Sequence, residues 1–349
     1  MSESIPHWQV LDAVLTVLQN GPQSLQRLAE LHGLEVSKLD ALLQPFDQSG
    51  ILMIDQNNPL LRRLSPHLEL LEYESIEASI KRKTMEFTAI EVFRAIDSTN
   101  RYLMGKAEHS LGSRLCVADA QLQGRGRRGQ TWSADPFANV TLSVARRLEA
   151  WPANVGAVAL AVSVSIAQAL NDAFDLGAQI KWPNDLMVDE AKLGGLLVEA
   201  AGQYGGECQL VVGLGLNVKQ ADWSQSSSML PASGEGARSL LASGAQHSDY
   251  GWVSLQDRGV ECDRNELVAL LALTISEALA QFEREGFNGF RTDWQQLSCC
   301  HHQRVMHVGT NPLLVGQQLG VDEQGALLIR DDHQVIHVIH DVSSRIRPC

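Results

Sequence analysis

Two apolar extended segments, Leu115-Cys116-Val117-Ala118 and Asn139-Val140-Thr141-Leu142-Ser143-Val144, enclose the run Gly124-Arg125-Gly126-Arg127-Arg128-Gly129. The spacing satisfies G-x-G-x-x-G, but a dinucleotide fold needs a helix after the last glycine, with its N-terminus facing the pyrophosphate. Here Gln130-Thr131-Trp132 leads into a turn and a second strand, so no helix is available and a Rossmann unit is disfavoured. Glycines let the backbone approach a ligand closely, and arginines present planar forks of donors suited to carboxylate and phosphate oxygens. In a chain of formal net charge -13 the run is a local positive island. It reads as a loop that is mobile when empty and closes on a small anion. A plain solvated loop and an RNA-binding arginine-glycine segment are the alternatives, the latter poorly supported by a single copy in an acidic chain.

A second element bears on that choice. Gln179-Ile180-Lys181-Trp182 reads as a strand that Pro183 stops, having no N–H to donate. Asn184 and Asp185 suit a tight turn, and Leu186-Met187-Val188 resumes extended structure toward a turn at Asp189-Glu190. Lys192-Leu193-Gly194-Gly195 follows. Such a hairpin can present Asn184, Asp185 and Lys192 at one mouth. Alone it could be an ordinary hairpin with charged ends; the two elements together favour a site.

At 349 residues the chain is long for a single core, and 44% hydrophobic content is that of a globular protein. The polar opening residues show no signal-peptide pattern. The most apolar stretch, Val155 to Leu170, is interrupted by Ser163, Ser165 and Gln168 and reads as a buried helix. Six cysteines at no metal or disulfide spacing complete the expectation of a reduced, cytoplasmic protein without a membrane partner. Cys299-Cys300-His301-His302 has no second ligand pair at zinc-finger spacing, so no resident metal site is expected.

Residues 8 to 66 carry helical periodicity. Val10, Leu11, Val14, Leu15 and Leu18 form one face, closed by Asn20-Gly21-Pro22. Ser24 is placed to cap a helix from Leu25 to Leu31, Gly33 to turn the chain, and Ser37 to cap a helix to about Gln48. Ile51 to Ile54 and Leu60 to Leu64 read as a small wing around Asp55-Gln56-Asn57-Asn58-Pro59. A helical connector follows over 66–83, then a strand at 84–93, a helix capped by Ser98, a long helix at 153–174, and strands around Val198 and over 210–218. Residues 221–260 read as a surface excursion, 267–282 and 290–297 as helices. From His301 short strands are expected, with Gly309, Gly316, Gly320 and Gly325 at turns. Residues 1–70 offer only Arg27, Lys38, Arg62 and Arg63 against eight acidic side chains, a thin set for phosphates.

The pairing of G-R-G-R-R-G with K-W-P-N-D, together with Asp97-Ser98-Thr99-Asn100 and Gly213-Leu214-Gly215-Leu216-Asn217-Val218, resembles the biotin protein ligase family, in particular its repressor-type members. The resemblance runs from about Leu11 to the C-terminus and is strongest from Ile96 to Val218. It implies an α+β chain in three parts: a winged helix-turn-helix at 1–66, a central mixed-sheet ligase domain of class II synthetase type at 67–298, and a small SH3-like β-barrel at 299–349. It implies ATP-dependent formation of biotinyl-5′-AMP with Mg²⁺, and transfer of biotin to a lysine of a biotin carboxyl carrier protein of acetyl-CoA carboxylase. Operator DNA and a ligand-dependent homodimer are further implied partners.

Position by position, the resemblance implies biotin contacts from Ser98, Thr99, Asn100, Gln121, Arg125, Gly126, Arg127 and Lys192. It implies nucleotide contacts from Arg127, Arg128, Trp132, Asn184 and Asn217, and catalytic roles for Lys192, Asp185 and Arg125. Lys192 would meet the biotin carboxylate and α-phosphate, Trp132 would stack on adenine, and Asp185 would orient or deprotonate the acceptor lysine. Ser37, Lys38 and Gln44 would face DNA. Departures are Gln130 where the family often has a basic residue, Gly194-Gly195 where alanine precedes glycine, and an ending at Asp341-Val342-Ser343-Ser344-Arg345 that matches only loosely. A lipoate-type ligase and a biotin-sensing regulator without ligase activity remain the rival readings.

Overall fold

A computed structural model describes residues 6–83, 87–106, 112–152, 154–202, 206–219, 251–308, 313–340 and 345–349. The chain opens with α1 (His7–Gln19), whose buried residues are Val10, Leu11, Val14, Leu15 and Leu18. A short strand β1 (Gln23–Ser24) leads into α2 (Leu25–His32), where the Ser24 side chain accepts from the Arg27 amide and Gly33 takes the left-handed conformation that ends the helix. The next helix, α3 (Val36–Gln48), begins one residue before Ser37. Its N-cap is Glu35 without a side-chain cap bond, so Ser37 is a first-turn residue and not the expected cap. Strands β2 (Leu52–Ile54) and β3 (Leu61–Leu64) pair antiparallel where two extended segments were expected, and β1 adds a third strand in the order β1-β3-β2.

After α4 (Tyr73–Lys81) comes a seven-stranded sheet. Its strands are β4 (Phe87–Phe93), β5 (Ser113–Ala118), β6 (Val140–Leu148), β7 (Gln179–Lys181), β8 (Asp185–Val188), β9 (Ala191–Gly202) and β10 (Cys208–Leu216), in the order β4-β5-β6-β10-β9-β8-β7. Only β4 and β5 pair in parallel; the other neighbours are antiparallel. The expected strand start at 84–86 lies outside the described residues.

Period-two alternation gives the sheet two different faces. Leu115 and Val117 of β5, Val140, Leu142 and Val144 of β6, and Leu210, Val212 and Leu214 of β10 join the main core. The long helices α6 (Val155–Phe174) and α7 (Arg264–Glu285) cover that side with α4. Both long helices satisfy the length and hydropathy of a membrane span, but their apolar residues are buried in this core. The opposite face carries Thr141, Ser143, Gly213 and Gly215, with α5 (Thr99–Met104) against part of it. Small residues on that face leave room for a cavity.

After α8 (Arg291–Leu297), β11 (Arg304–Val308), β12 (Leu314–Val321), β13 (Leu327–Asp331), β14 (Ile336–Ile339) and β15 (Arg345–Pro348) form an antiparallel sheet, ordered β14-β13-β12-β11-β15. Gly316 and Gly320 sit inside β12, contrary to their expected turn positions. A Cβ at Gly316 would lie 2.3 Å from the Arg330 carbonyl, so close strand approach requires glycine there. Gly325 does occupy a turn, at φ 79°, and Gly309 lies outside the described residues. Val305, Val321, Leu327, Ile329 and Ile346 join the main core, so this sheet is packed onto the central body.

The N-terminal unit is also joined to that body. Its core continues into Ala95, Ala120 and Phe137. Asp12 Oδ1 of α1 accepts from the amides of Arg94 (2.6 Å) and Ala95 (3.2 Å), and Trp8 packs edge-on against Phe93 and Tyr102. Behind this seam Asp119, fully buried, meets both Arg94 and Arg264.

Candidate functional site

The cavity on the small-residue face has a volume of about 500 Å³. Ser98, Thr99, Asn100, Gln121, Arg125, Gly126, Arg127, Arg128, Trp132, Asn184, Asp185, Lys192 and Asn217 all line it. Residues from four separate stretches of sequence thus converge at one end of the sheet.

The first wall is a tight polar lattice. The Thr99 amide and hydroxyl both donate to Gln121 Oε1, at 2.9 and 3.2 Å. Ser143 Oγ of β6 lies 2.7 Å from Thr99 Oγ1 and 2.6 Å from Asn100 Oδ1. The Asn100 amide donates to Leu197 O at 3.2 Å and to Glu199 Oε2 at 3.0 Å. Ser98, Thr99 and Asn100 are each only 3% exposed, so they shape the wall while their polar atoms are engaged within the protein. A Cβ at Gly213 would come within 2.1 Å of Asn100 Oδ1, which is why β10 carries glycine there.

The arginine run forms a folded hairpin. Gly126 N–H donates to Gln130 O at 2.7 Å, and Trp132 N–H to Gly124 O at 2.9 Å. Arg128 and Gly129 take φ of 58° and 72°. Arg127 Nη1 donates to Asn184 Oδ1 at 2.7 Å, tying the run to the K-W-P-N-D segment. Asn184 in turn donates to Leu196 O at 2.6 Å. Trp132 lies flat on β10: a Cβ at Gly215 would be 2.2 Å from its Cε2. The indole Nε1 has no hydrogen-bond partner.

Lys192 Nζ is 2.6 Å from Asp185 Oδ1 and 5.5 Å from the Trp132 ring centre. Gly195 lies beside this pair: a Cβ there would be 3.4 Å from both Asp185 Oδ1 and Lys192 Nζ, an ordinary contact. Residues 251–253, expected in a surface excursion, instead clamp the lysine backbone. Lys192 N–H donates to Gly251 O at 2.8 Å and Val253 N–H to Lys192 O at 3.0 Å. Val253, Ser254 and Leu255 are buried, which corrects that part of the expectation; residues 221–250 lie outside the described residues. Asn217 donates its side-chain amide to Lys192 O and Val253 O, so it braces this clamp.

Four residues were given no site role from sequence. Lys181 lines the cavity, and burial pushes its ammonium below the usual lysine range, with Asp185 opposing the shift. Arg345 and Ile346 bring the C-terminal sheet to the cavity wall. Glu199 pairs with Arg125 at 3.0 Å. Lys181 stood within K-W-P-N-D without a role, and Glu199 was the one charged residue in Leu196-Leu197-Val198-Glu199-Ala200-Ala201.

The residues expected to face DNA lie elsewhere. Ser37, Lys38 and Gln44 are exposed on α3, with Lys38 Nζ 3.6 Å from Glu35. Arg62 is withdrawn from any phosphate: it is buried, its Nε bonds both oxygens of Asp47 and its Nη2 reaches Asp40 at 3.1 Å.

Comparison with known proteins agrees with the cavity. The model of the biotin/lipoate A/B protein ligase family matches residues 92–217. The bifunctional ligase/repressor BirA of Escherichia coli K12 is 32% identical over 244 residues, covering 70% of each chain. The biotin--[acetyl-CoA-carboxylase] ligase of Paracoccus denitrificans is 30% identical over 242 residues, 67% of this chain and 91% of that one. The Aquifex aeolicus biotin protein ligase, solved with biotin and ATP, superposes with a TM-score of 0.58 at 25% identity, over 75% of this chain and all of that one. With its paired arginine and lysine elements meeting in one cavity and a relative at this identity over this span, the chain belongs to the biotin protein ligase family.

Proposed function

We propose that this protein is an ATP-dependent biotin protein ligase that also acts as a biotin-responsive repressor. The supporting observation is the convergence of Arg125, Arg127, Arg128 and Lys192 with Asp185 on one cavity. Joining a carboxylate to a triphosphate requires two anions at close quarters, and fixed cations offset their repulsion. The biotin carboxylate attacks the α-phosphate of ATP, giving biotinyl-5′-AMP and pyrophosphate. A lysine of a biotin carboxyl carrier protein then attacks the anhydride and AMP leaves.

In this reading Lys192 faces both reacting anions, and Arg125, Gly126 and Arg127 close over the biotin side bounded by Ser98, Thr99, Asn100 and Gln121. Trp132 offers a ring for adenine, with Arg128, Asn184 and Asn217 as nucleotide neighbours. Asp185, 2.6 Å from Lys192, receives the proton of the acceptor lysine. Mg²⁺ would arrive with the phosphates: among the described residues no three His, Cys, Asp or Glu side chains gather into a cage. The lining carboxylates of Asp185 and Asp135 are the oxygens the wall could lend it.

One assay tests the assignment: pyrophosphate exchange into ATP with biotin or lipoate supplied. Exchange with biotin is expected; exchange with lipoate alone, or with neither, rejects it. The stacking role has its own test. Gly215→Ala should displace the Trp132 indole and raise the KM for ATP about tenfold, the scale of one lost aromatic contact. An equal rise in the KM for biotin would count against that role.

We assign the N-terminal helices and wing, residues 1–66, to a winged helix-turn-helix that reads operator DNA through Ser37, Lys38 and Gln44. Residues 67–298 form the ligase domain and 299–349 the SH3-like part, in a cytoplasmic protein that pairs as a homodimer when liganded. A mobility shift on its own biotin-synthesis promoter, with biotin and ATP present, is the expected result. No shift at low salt refutes the repressor role.

A further inference from the structure

Arg125, assigned above to the anionic ligand, already has a carboxylate. Its Nη2 lies 3.0 Å from Glu199 Oε1, and its Nη1 reaches Oε2 at 3.4 Å. This two-point contact ties the glycine-arginine loop to β9. Glu199 is itself fixed: β9 pairs with β10 along its length, placing Glu199 opposite Val211, and Oε2 also accepts from the Asn100 amide at 3.0 Å. Asn100 is held from its other side by Ser143 at 2.6 Å. The Glu199 side chain is 21% exposed and that of Arg125 41%, so the pair sits at the cavity's edge where an entering anion meets it.

A second carboxylate or a phosphate brought to Arg125 would face Glu199 as a like charge. The guanidinium therefore cannot serve both with full strength. We infer that Glu199 is a positioning residue for the ligase reaction: the resting counter-ion of the loop, holding Arg125 against β9 until the ligand's anion replaces it, and keeping Asn100 turned into the biotin wall. The inference rests on the ligase reading of the cavity for the ligand's identity, but not for the loop contact itself.

Glu199→Gln tests it, since it removes the charge and keeps an oxygen for Asn100. In the ligand-free protein, trypsin cleavage after Arg125, Arg127 and Arg128 should run about fivefold faster than in the parent, on the scale of one partly exposed ion pair. By calorimetry the Kd for biotin should fall about fivefold, because a competitor for Arg125 is gone, while that for uncharged biotin methyl ester stays unchanged. Glu199→Ala, which also removes the acceptor for Asn100, should weaken the ester. Unchanged loop cleavage in Glu199→Gln, or equal shifts for biotin and its ester, overturns the proposal. If the parent binds neither compound while cleavage still accelerates, the ligase reading fails and the counter-ion role stands.

Discussion

Lys192→Ala should reduce biotin-dependent pyrophosphate exchange by about two to three orders of magnitude, the cost of removing one preorganised charge from a developing anion. Two of the other cations lining the cavity are already engaged. Arg127 is engaged with Asn184 and Arg125 with Glu199. The Lys192–Asp185 pair is partly exposed, with side chains at 25% and 24%. Its loss should therefore change folding stability little, and the melting temperature separates a catalytic loss from an unfolded variant. Asp185→Ala is the matched experiment. Adenylate formation should persist, because the cation remains, while transfer to the carrier lysine should drop about a hundredfold or more, as for loss of a general base. If both variants lose exchange equally, the two roles are not separable and Asp185 acts through Lys192.

The largest effect on stability is expected at Asp119. Its carboxylate lies between the Arg94 and Arg264 guanidiniums, with Oδ1 3.0 Å from Arg264 Nη2, and its side chain and that of Arg264 are essentially without solvent contact. Arg264 further donates to the carbonyls of Phe137 and Asn139, and Arg94 to Gln19 of α1. Asp119→Ala leaves Arg264 buried without its carboxylate and Arg94 with only Glu72 at 3.4 Å, and breaking a buried pair from one side costs about 3–5 kcal/mol. Urea unfolding should show it as a lower midpoint, and the first transition should include loss of the α1 contact through Asp12. A midpoint within error of the parent would mean that Glu72 and Gln19 suffice for Arg94 and the carbonyls for Arg264.

Much of the site was legible before any coordinates because its chemistry is written locally. The arginine run and the lysine hairpin are contiguous, and period-two alternation placed them at strand ends. What stayed hidden was pairing between distant segments. Glu199 reaches Arg125 across 74 positions, Arg345 arrives from the far end of the chain, and residues 251–253 return to Lys192 with no periodic pattern to announce them. Arg62 misled for a related reason. As a letter in an exposed wing it counts as a cation for phosphate, but folding turns it onto Asp40 and Asp47. Ser37 misled through a one-residue difference in the start of α3, within the usual uncertainty of helix ends.

The seam beside α1 has a geometric consequence. Because Ala95, Ala120 and Phe137 complete the N-terminal core, that unit is seated on the body and does not swing on a tether. On the proposed repressor reading, two copies on one operator would present their α3 helices at a separation dictated by the bodies behind them. A palindrome lengthened by a few base pairs between its halves would then find no stretch in the protein to meet it.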